Sequence, residues 1–273
     1  MKVLILGAHG MLGQALARVF ADFSPALWDK DELDITDSSA VKKRLVELNP
    51  ELIINTAAFT DVDGAEENKK LAHELNGKAV KNLVDVANEI GATFVQYSTA
   101  YVFDGKNPDG YKEEDLPNPS SVYGESKLEG EREAVKAKKY YILRLDRLFG
   151  KAGEGKTSFI DKMLELAKTK KKLTVIADEY GCPTYAPDLA KRTREILEKQ
   201  MPNGVYHCAN EGSCSWYEWA REIFKIKGID IELKKAKATD FSRKATRPKY
   251  GVLNNTKLPK MRSWKKALAE YLE

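Results

Sequence analysis

The chain has 273 residues, of which 42% are hydrophobic and 32% charged, and its formal net charge is +4. This composition is typical of a soluble globular protein, long enough for one large domain or two smaller ones. Because the charge is mild and the apolar runs are shorter than a membrane span, nothing indicates a nucleic-acid or membrane partner.

The chain begins with an apolar strand that runs into a glycine-rich turn. Val3 to Leu6 are all apolar, which predicts a strand buried on both faces of a parallel sheet. Gly7, Gly10 and Gly13 follow at G-x-x-G-x-x-G spacing, before a helical pattern. Such glycines permit the tight turn, the approach of a pyrophosphate and close packing of helix on strand. The residues predicted to contact a dinucleotide here are Gly7, His9, Gly10, Met11, Leu12 and Gly13.

An acidic residue follows the second predicted strand and bears on the choice of coenzyme. The strand covers Ala26 to Trp28 and ends at Asp29, about twenty residues after the glycines. An acid at this distance usually binds the ribose hydroxyls of NAD, whereas Lys30 is placed to meet the 2′-phosphate of NADP. The sequence therefore leaves NADH and NADPH both open.

Strands and helices then alternate. Asp37 is placed to cap a helix over Ser38 to Leu48, and Glu51 to Ala58 predict another buried strand. Helical periodicity continues from about Ala65 to Glu89, and Gly91 to Thr99 supply the next strand. This order predicts an α/β, Rossmann-like, doubly wound parallel sheet.

A pair of acid–base residues follows a proline-rich loop. Ser120 and Ser121 are placed to cap a helix that carries Tyr123 and Lys127. Residues four apart share one face of a helix. A nearby ammonium is expected to lower the pKa of the tyrosine, which suits the pair to proton transfer at a carbonyl oxygen. The alternative is a surface helix with an incidental Tyr and Lys.

These motifs resemble those of the extended short-chain dehydrogenase/reductase family. More narrowly, the chain is similar to the dTDP-4-dehydrorhamnose reductase family in three segments: Ser98-Thr-Ala-Tyr-Val-Phe-Asp-Gly105, Gly181-Cys-Pro-Thr-Tyr-Ala-Pro-Asp-Leu-Ala190 and Arg247-Pro-Lys. The resemblance implies that Thr99 binds the sugar carbonyl, that Tyr123 protonates it and that Lys127 holds the nicotinamide ribose.

The resemblance also implies further binding residues. Asp34 and Ile35 would border the adenine, and Ala57, Ala58 and Asn76 would line the cofactor cleft. On the substrate side, it implies Ala100, Tyr101, Arg147, Thr184 and Arg247. Arg247 is singled out because a bidentate guanidinium suits a diphosphate.

Two positions depart from the family pattern. Ala100 stands where an acidic residue is usual, and Arg147 stands where a tryptophan is common. We consider three explanations: drift, an introduced change, or altered specificity that weakens activity on dTDP-4-dehydrorhamnose. In the last case, Arg147 favours a sugar that carries a carboxylate or another acceptor.

The second half of the chain has a looser organisation. We predict a dinucleotide-binding domain over residues 1–150, rejoined by 173–206, and a substrate-binding domain from 151–172 and 207–273. The strand-like stretch Leu173 to Ala177 is expected to rejoin the sheet.

The remaining sequence features bear on compartment and metal binding. The odd number of cysteines, without metal-ligand spacing, predicts free thiols in a reducing cytoplasm. The scattered histidines predict no metal site. We expect no signal peptide, because the first residues enter a strand directly.

The leading hypothesis is NADPH- or NADH-dependent reduction of a 4-keto sugar nucleotide. The expected reaction converts dTDP-4-dehydro-L-rhamnose to dTDP-L-rhamnose, with Tyr123 as proton donor. One alternative is a sugar-nucleotide epimerase on the same site. Another is a non-catalytic dinucleotide-binding subunit, similar to the regulatory beta subunit of methionine adenosyltransferase. A homodimer is left open.

Overall fold

A computed structural model describes residues 1–153 and 157–273. Its strands are β1 (Val3–Leu6), β2 (Ala26–Trp28), β3 (Leu52–Asn55), β4 (Thr93–Thr99), β5 (Tyr140–Phe149), β6 (Lys172–Ile176), β7 (Tyr180–Gly181), β8 (Pro183–Tyr185), β9 (Gly204–His207), β10 (Cys214–Ser215), β11 (Glu232–Ala236) and β12 (Tyr250–Gly251). Its α-helices are α1 (Met11–Val19), α2 (Ser38–Leu48), α3 (Val62–Glu67), α4 (Lys69–His73), α5 (Ala79–Ile90), α6 (Val122–Ala134), α7 (Phe159–Thr169), α8 (Ala186–Glu198), α9 (Trp216–Lys227) and α10 (Trp264–Leu272).

The main sheet has the order β2-β1-β3-β4-β5, and β5 also pairs with β9 and β8. Its pairings are parallel throughout. β5 is the longest strand of the sheet, and it pairs with β9 along its first half and with β8 at its end. The predicted doubly wound α/β fold is confirmed.

The apolar strands are buried on both faces because helices cover both sides of the sheet. Val3 and Ile5 of β1 pack toward α1 and α8, whereas Leu4 and Leu6 pack toward α2 and α5. Successive side chains of a strand point to opposite faces, so a run without polar residues needs two covered faces. Burying each such side chain contributes about 1.5–3 kcal/mol.

The predicted helix over about Ala65 to Glu89 is interrupted in the structure. It consists of the end of α3, then α4, a π-helical turn over Glu74–Lys78, and α5. The buried Asn76 lies in this turn, and its side-chain amide bonds Phe59 of the preceding loop. The Asn76 side chain, which holds the preceding loop, therefore lies where the helix changes from α to π geometry.

The expectation that Leu173 to Ala177 rejoins the main sheet is wrong. This stretch forms β6, which pairs in parallel with β11 in a separate two-stranded sheet. β6 packs with α7 and α9 around an apolar cluster that is separate from those on the two faces of the main sheet and includes Trp219 and Phe224. The proposed division into two domains stays a prediction, and residues 154–156 of its second part lie outside the described residues.

Within the described ranges, no helix is both long and apolar enough to cross a membrane.

Candidate active site

A cleft of about 710 Å³ lies at the carboxyl ends of β1, β3, β4 and β5. Ligands of open α/β sheets bind at this edge, where the order of the strands reverses. The cleft brings together residues from distant parts of the chain that the sequence predicts for one site. Those that line it are Gly7, Gly10, Met11, Leu12, Asp29, Lys30, Asp34, Ile35, Ala57, Ala58, Thr99, Tyr101, Tyr123, Lys127 and Arg147.

The three glycines of the first turn have different environments. Gly7 has a φ of +72°, which L side chains rarely adopt. A Cβ at Gly13 would lie 2.3 Å from the Gly7 carbonyl oxygen, so this glycine permits α1 to pack on the turn. A Cβ at Gly10 would meet the same oxygen at 3.2 Å, and Gly10 lines the cleft. The turn thus leaves room at Gly10 and the start of α1 for a pyrophosphate.

The acidic residue after β2 is held by backbone amides. Asp29 accepts hydrogen bonds from the amides of His9 at 3.1 Å and Lys30 at 2.9 Å. The His9 side chain is 74% exposed and lies near Asp29 rather than in the cleft wall. The His9 backbone amide thus helps to fix Asp29 at the end of the cleft that Lys30 and Asp34 also line.

The predicted proton-transfer residues lie together at the other end of the cleft. Tyr123 contacts Tyr101 edge to face, with ring centroids 5.4 Å apart. Burial raises the pKa of Tyr123 to about 12, although the Thr99 hydroxyl beside it lowers this value in part. Burial lowers the pKa of Lys127 to about 8, and its ammonium donates to the Tyr97 carbonyl at 2.7 Å.

These values correct the expectation that Lys127 lowers the pKa of Tyr123. Burial of the phenol is the dominant effect, and Lys127 is held by the backbone of β4 instead. A phenol with a raised pKa stays protonated at neutral pH. The protonated Tyr123 hydroxyl is therefore available to donate a hydrogen bond to a ligand oxygen in the cleft.

Arg147 lies at the end of β5 with its side chain buried. Its guanidinium donates to the carbonyl oxygens of Cys214 at 2.7 Å and Glu179 at 3.0 Å, and lies 4.1 Å from the centre of the Trp216 ring. Its φ of +44° is unusual for a residue with a side chain. Because these groups engage the guanidinium, the expectation that it binds a carboxylate of the sugar is not supported by its placement.

Two predicted residues support the wall of the cleft rather than lining it. The Asn76 amide donates to the Phe59 carbonyl and the Ser126 hydroxyl. The Thr184 hydroxyl donates to backbone carbonyls, including that of Asp146 at 2.7 Å. Both are nearly inaccessible to solvent, so a ligand in the cleft would meet their neighbours.

Two other predicted substrate residues also do not line the cleft. Ala100 is fully buried in an apolar cluster with Val102 and Phe103. Arg247 forms a bidentate ion pair with Asp63 of α3, with distances of 2.7 and 3.0 Å. This guanidinium holds the pKa of Asp63 well below its usual range. A diphosphate would have to compete with that carboxylate for Arg247.

Ser98 and Asp146 line the cleft, although the sequence prediction did not assign them a role. The Ser98 hydroxyl is buried and has no hydrogen-bond partner among the described residues. Asp146 is 5% exposed, and burial raises its pKa to about 6. The sequence signal that would have pointed to Asp146 is an acidic residue between Arg144 and Arg147 in the strand β5.

In residues 1–153 and 157–273, no group of three or more His, Cys, Asp or Glu side chains is placed to hold a metal ion.

Comparisons with known proteins agree with this fold and cleft. Residues 1–273 match the family model described as the RmlD substrate binding domain. The chain is 35% identical to the spore coat polysaccharide biosynthesis protein SpsK of Bacillus subtilis, covering 100% of this chain and 97% of that protein. It is 34% identical to a dTDP-4-dehydrorhamnose reductase of Streptomyces griseus, covering 98% and 91%. The crystal structure of dTDP-4-dehydrorhamnose reductase from Bacillus anthracis in complex with NADP superposes with a TM-score of 0.95 at 35% identity, covering 99% of each chain.

Proposed function

The chain belongs to the RmlD substrate binding domain family, and on that premise we propose that it reduces a 4-keto sugar nucleotide with NADPH. The specific reaction that we propose is dTDP-4-dehydro-L-rhamnose to dTDP-L-rhamnose. The observation that carries the proposal is the meeting of Thr99, Tyr123 and Lys127 with the Gly7–Gly10 turn in one cleft. The relatives named as dTDP-4-dehydrorhamnose reductases support the choice of substrate.

The cleft offers a fit for the dinucleotide that this reaction requires. Gly10, the start of α1 and the Ser98 hydroxyl, which has no partner among the described residues, all line the same space. The nicotinamide, when bound, supplies a hydride to the carbonyl carbon. Residues of the turn and Lys127 would hold the dinucleotide, and Asp34 and Ile35 would border its adenine.

The protein's own contribution is binding and proton supply at the carbonyl oxygen. The Thr99 hydroxyl and the Tyr123 phenol would donate hydrogen bonds to that oxygen and so favour the negative charge that develops on it. The Tyr123 proton would then move to the oxygen as the alcohol forms. Thr99 is buried and Tyr123 is partly buried, so both hydroxyls lie in a partly desolvated region where such interactions are stronger than in water.

The test is to follow oxidation of NADPH and NADH by absorbance with a panel of 4-keto-6-deoxy sugar nucleotides. One mole of NADPH consumed per mole of dTDP-4-dehydro-L-rhamnose would support the proposal. Turnover of a sugar nucleotide without net oxidation of the coenzyme would favour the epimerase instead. Coenzyme binding without turnover of any sugar would favour the non-catalytic subunit.

Replacing Lys127 with methionine is expected to weaken NADPH binding by about 10-fold or more, because an ammonium that bonds the ribose would be lost. Methionine has a similar length and fills the same buried volume, so the fold should persist. A fluorescence titration with NADPH measures the change, and a thermal melt checks folding. An unchanged dissociation constant in the folded variant would show that Lys127 does not contact the coenzyme.

Replacing Lys30 with alanine is expected to weaken NADPH binding about 5- to 10-fold and leave NADH binding unchanged. Lys30 lies exposed beside Asp29 at the cleft, where a 2′-phosphate would meet its ammonium. Titrations of both coenzymes measure the ratio, and Lys43→Ala on the outer face of α2 is a control for the loss of one surface charge. Equal effects on NADPH and NADH would contradict a phosphate contact.

A further inference from the structure

A buried carboxylate stands in the wall of the cleft without a full set of partners. Asp146 Oδ2 accepts a hydrogen bond from the Cys182 amide at 3.0 Å, and Arg147 Nε lies 3.8 Å from the same oxygen. The Arg147 guanidinium donates its hydrogen bonds to two backbone carbonyls, and at 3.8 Å it forms an ion pair but no hydrogen bond with Asp146. A buried charge is costly unless it is paired. Because Asp146 lines the cleft, we expect a polar group of the ligand to pair with it.

Glycines on two neighbouring strands leave the space that the carboxylate occupies. A Cβ at Gly181 would lie 2.0 Å from Asp146 Oδ2, so any side chain at this position would displace the carboxylate. A Cβ at Gly251 would lie 3.5 Å from the same oxygen and 3.6 Å from the Ala100 Cβ. Asp146 and Ala100 therefore border the same small volume from two different segments of the chain.

This volume adjoins the proposed reacting groups. Ala100 directly follows Thr99, and the charge of Asp146 raises the pKa of both Tyr123 and Tyr101. Thr99, Tyr101, Tyr123 and Asp146 all line the same cleft. A sugar whose carbonyl meets Tyr123 would therefore present its neighbouring hydroxyl groups to the part of the wall that carries Asp146.

We propose that Asp146 binds a sugar hydroxyl next to the reacting carbonyl and so supplies from β5 the carboxylate that position 100 lacks. The hydroxyl would donate a charge-assisted hydrogen bond to the carboxylate, which orients the sugar toward Tyr123. This inference rests on the proposed reductase function. Ala100 alone predicts weak activity on dTDP-4-dehydro-L-rhamnose. With Asp146 in this role, we expect instead an activity that depends on Asp146.

The first test uses Asp146→Asn, which keeps the shape of the side chain, and Asp146→Ala. Both are expected to lower kcat/KM for dTDP-4-dehydro-L-rhamnose about 10- to 100-fold, since each removes a hydrogen bond to a charged group. The dissociation constant for NADPH should not change. Asp85→Ala on the exposed side of α5 is the matched control and should behave as the wild type. Wild-type kinetics in Asp146→Asn and Asp146→Ala would overturn the inference while leaving the reductase function intact.

The pH profile separates a role in substrate binding from a purely structural one. Because burial raises the pKa of Asp146 to about 6, the wild-type kcat/KM should fall as the pH drops through this value, whereas Asp146→Asn should lack that fall. The titratable and charged groups that face Asp146 are Tyr101, Tyr123, Arg147, Cys182 and Cys214. Burial raises the pKa of the tyrosines and cysteines among them, so they stay neutral over this range. The same fall in wild type and Asp146→Asn would overturn the inference.

A rescue experiment tests whether the two positions are interchangeable. Ala100→Asp introduced into Asp146→Ala should recover at least half of the lost log(kcat/KM), because the new carboxylate extends toward the same volume. Recovery would support the inference. A folded, NADPH-binding double variant without recovery would overturn the interchange, and if this variant does not fold, the Asp146→Asn kinetics decide. Absence of turnover in the wild type would overturn the reductase function and this inference with it.

Discussion

Replacing Tyr123 with phenylalanine is expected to lower kcat about 10²- to 10⁴-fold, which is the usual contribution of a general acid. The ring would keep its partly buried position and its edge-to-face contact with Tyr101, so the fold and NADPH binding should be preserved. Because burial raises the pKa of Tyr123 to about 12, the phenol remains a proton donor throughout the neutral range. The measurement is steady-state oxidation of NADPH with dTDP-4-dehydro-L-rhamnose.

A matched control distinguishes loss of the hydroxyl from a general effect of the substitution. Tyr140→Phe removes a phenolic hydroxyl at the start of β5, away from the cleft, and should leave kcat within about twofold of wild type. If Tyr123→Phe retained wild-type turnover while binding NADPH normally, another group would have to protonate the substrate, and the proposed role of Tyr123 would be wrong.

Replacing Gly10 with valine is expected to abolish measurable NADPH binding, with a loss in affinity of at least about 100-fold. Gly10 has φ −69° and ψ 166°, which valine adopts readily, and among the described residues a Cβ there meets the Gly7 oxygen alone, at a tight 3.2 Å. The folded state should tolerate the change if the Gly7 carbonyl shifts by a few tenths of an ångström. The branched side chain would occupy the space through which a pyrophosphate approaches the backbone.

The corresponding change at Gly13 should have a different effect. A Cβ there would lie 2.3 Å from the Gly7 oxygen and 2.7 Å from the Ala8 Cα, so Gly13→Val must displace backbone and destabilise the fold by several kcal/mol. Thermal melts and NADPH titrations of both variants make the comparison. A folded Gly10→Val protein that binds NADPH as well as wild type would refute the assignment of this turn to the coenzyme.

Local patterns in the sequence predicted much of the fold. The bounds of β1 and β2 were predicted correctly, as was α2 with its Asp37 cap, which accepts hydrogen bonds from the amides of Ser39 and Ala40. Each of these features depends on residues that lie close together in the sequence, so their spacing is sufficient to predict it. The partner of β6 was not predictable in this way. Its apolar pattern indicates a strand but does not specify that β11, some sixty residues later, pairs with it.

The same distinction between local and long-range features holds for the candidate site. The glycine turn and the four-residue spacing of Tyr123 and Lys127 are local, and the sequence by itself determined them. Only the tertiary structure decided that Asp63 pairs with Arg247, that burial raises the pKa of Tyr123, and that Asp146 adjoins the space beside Ala100. Each of these depends on segments that lie far apart in the chain. The physical reason is that spacing along a helix or strand sets which residues share a face, whereas burial and charge pairing depend on what folds against that face.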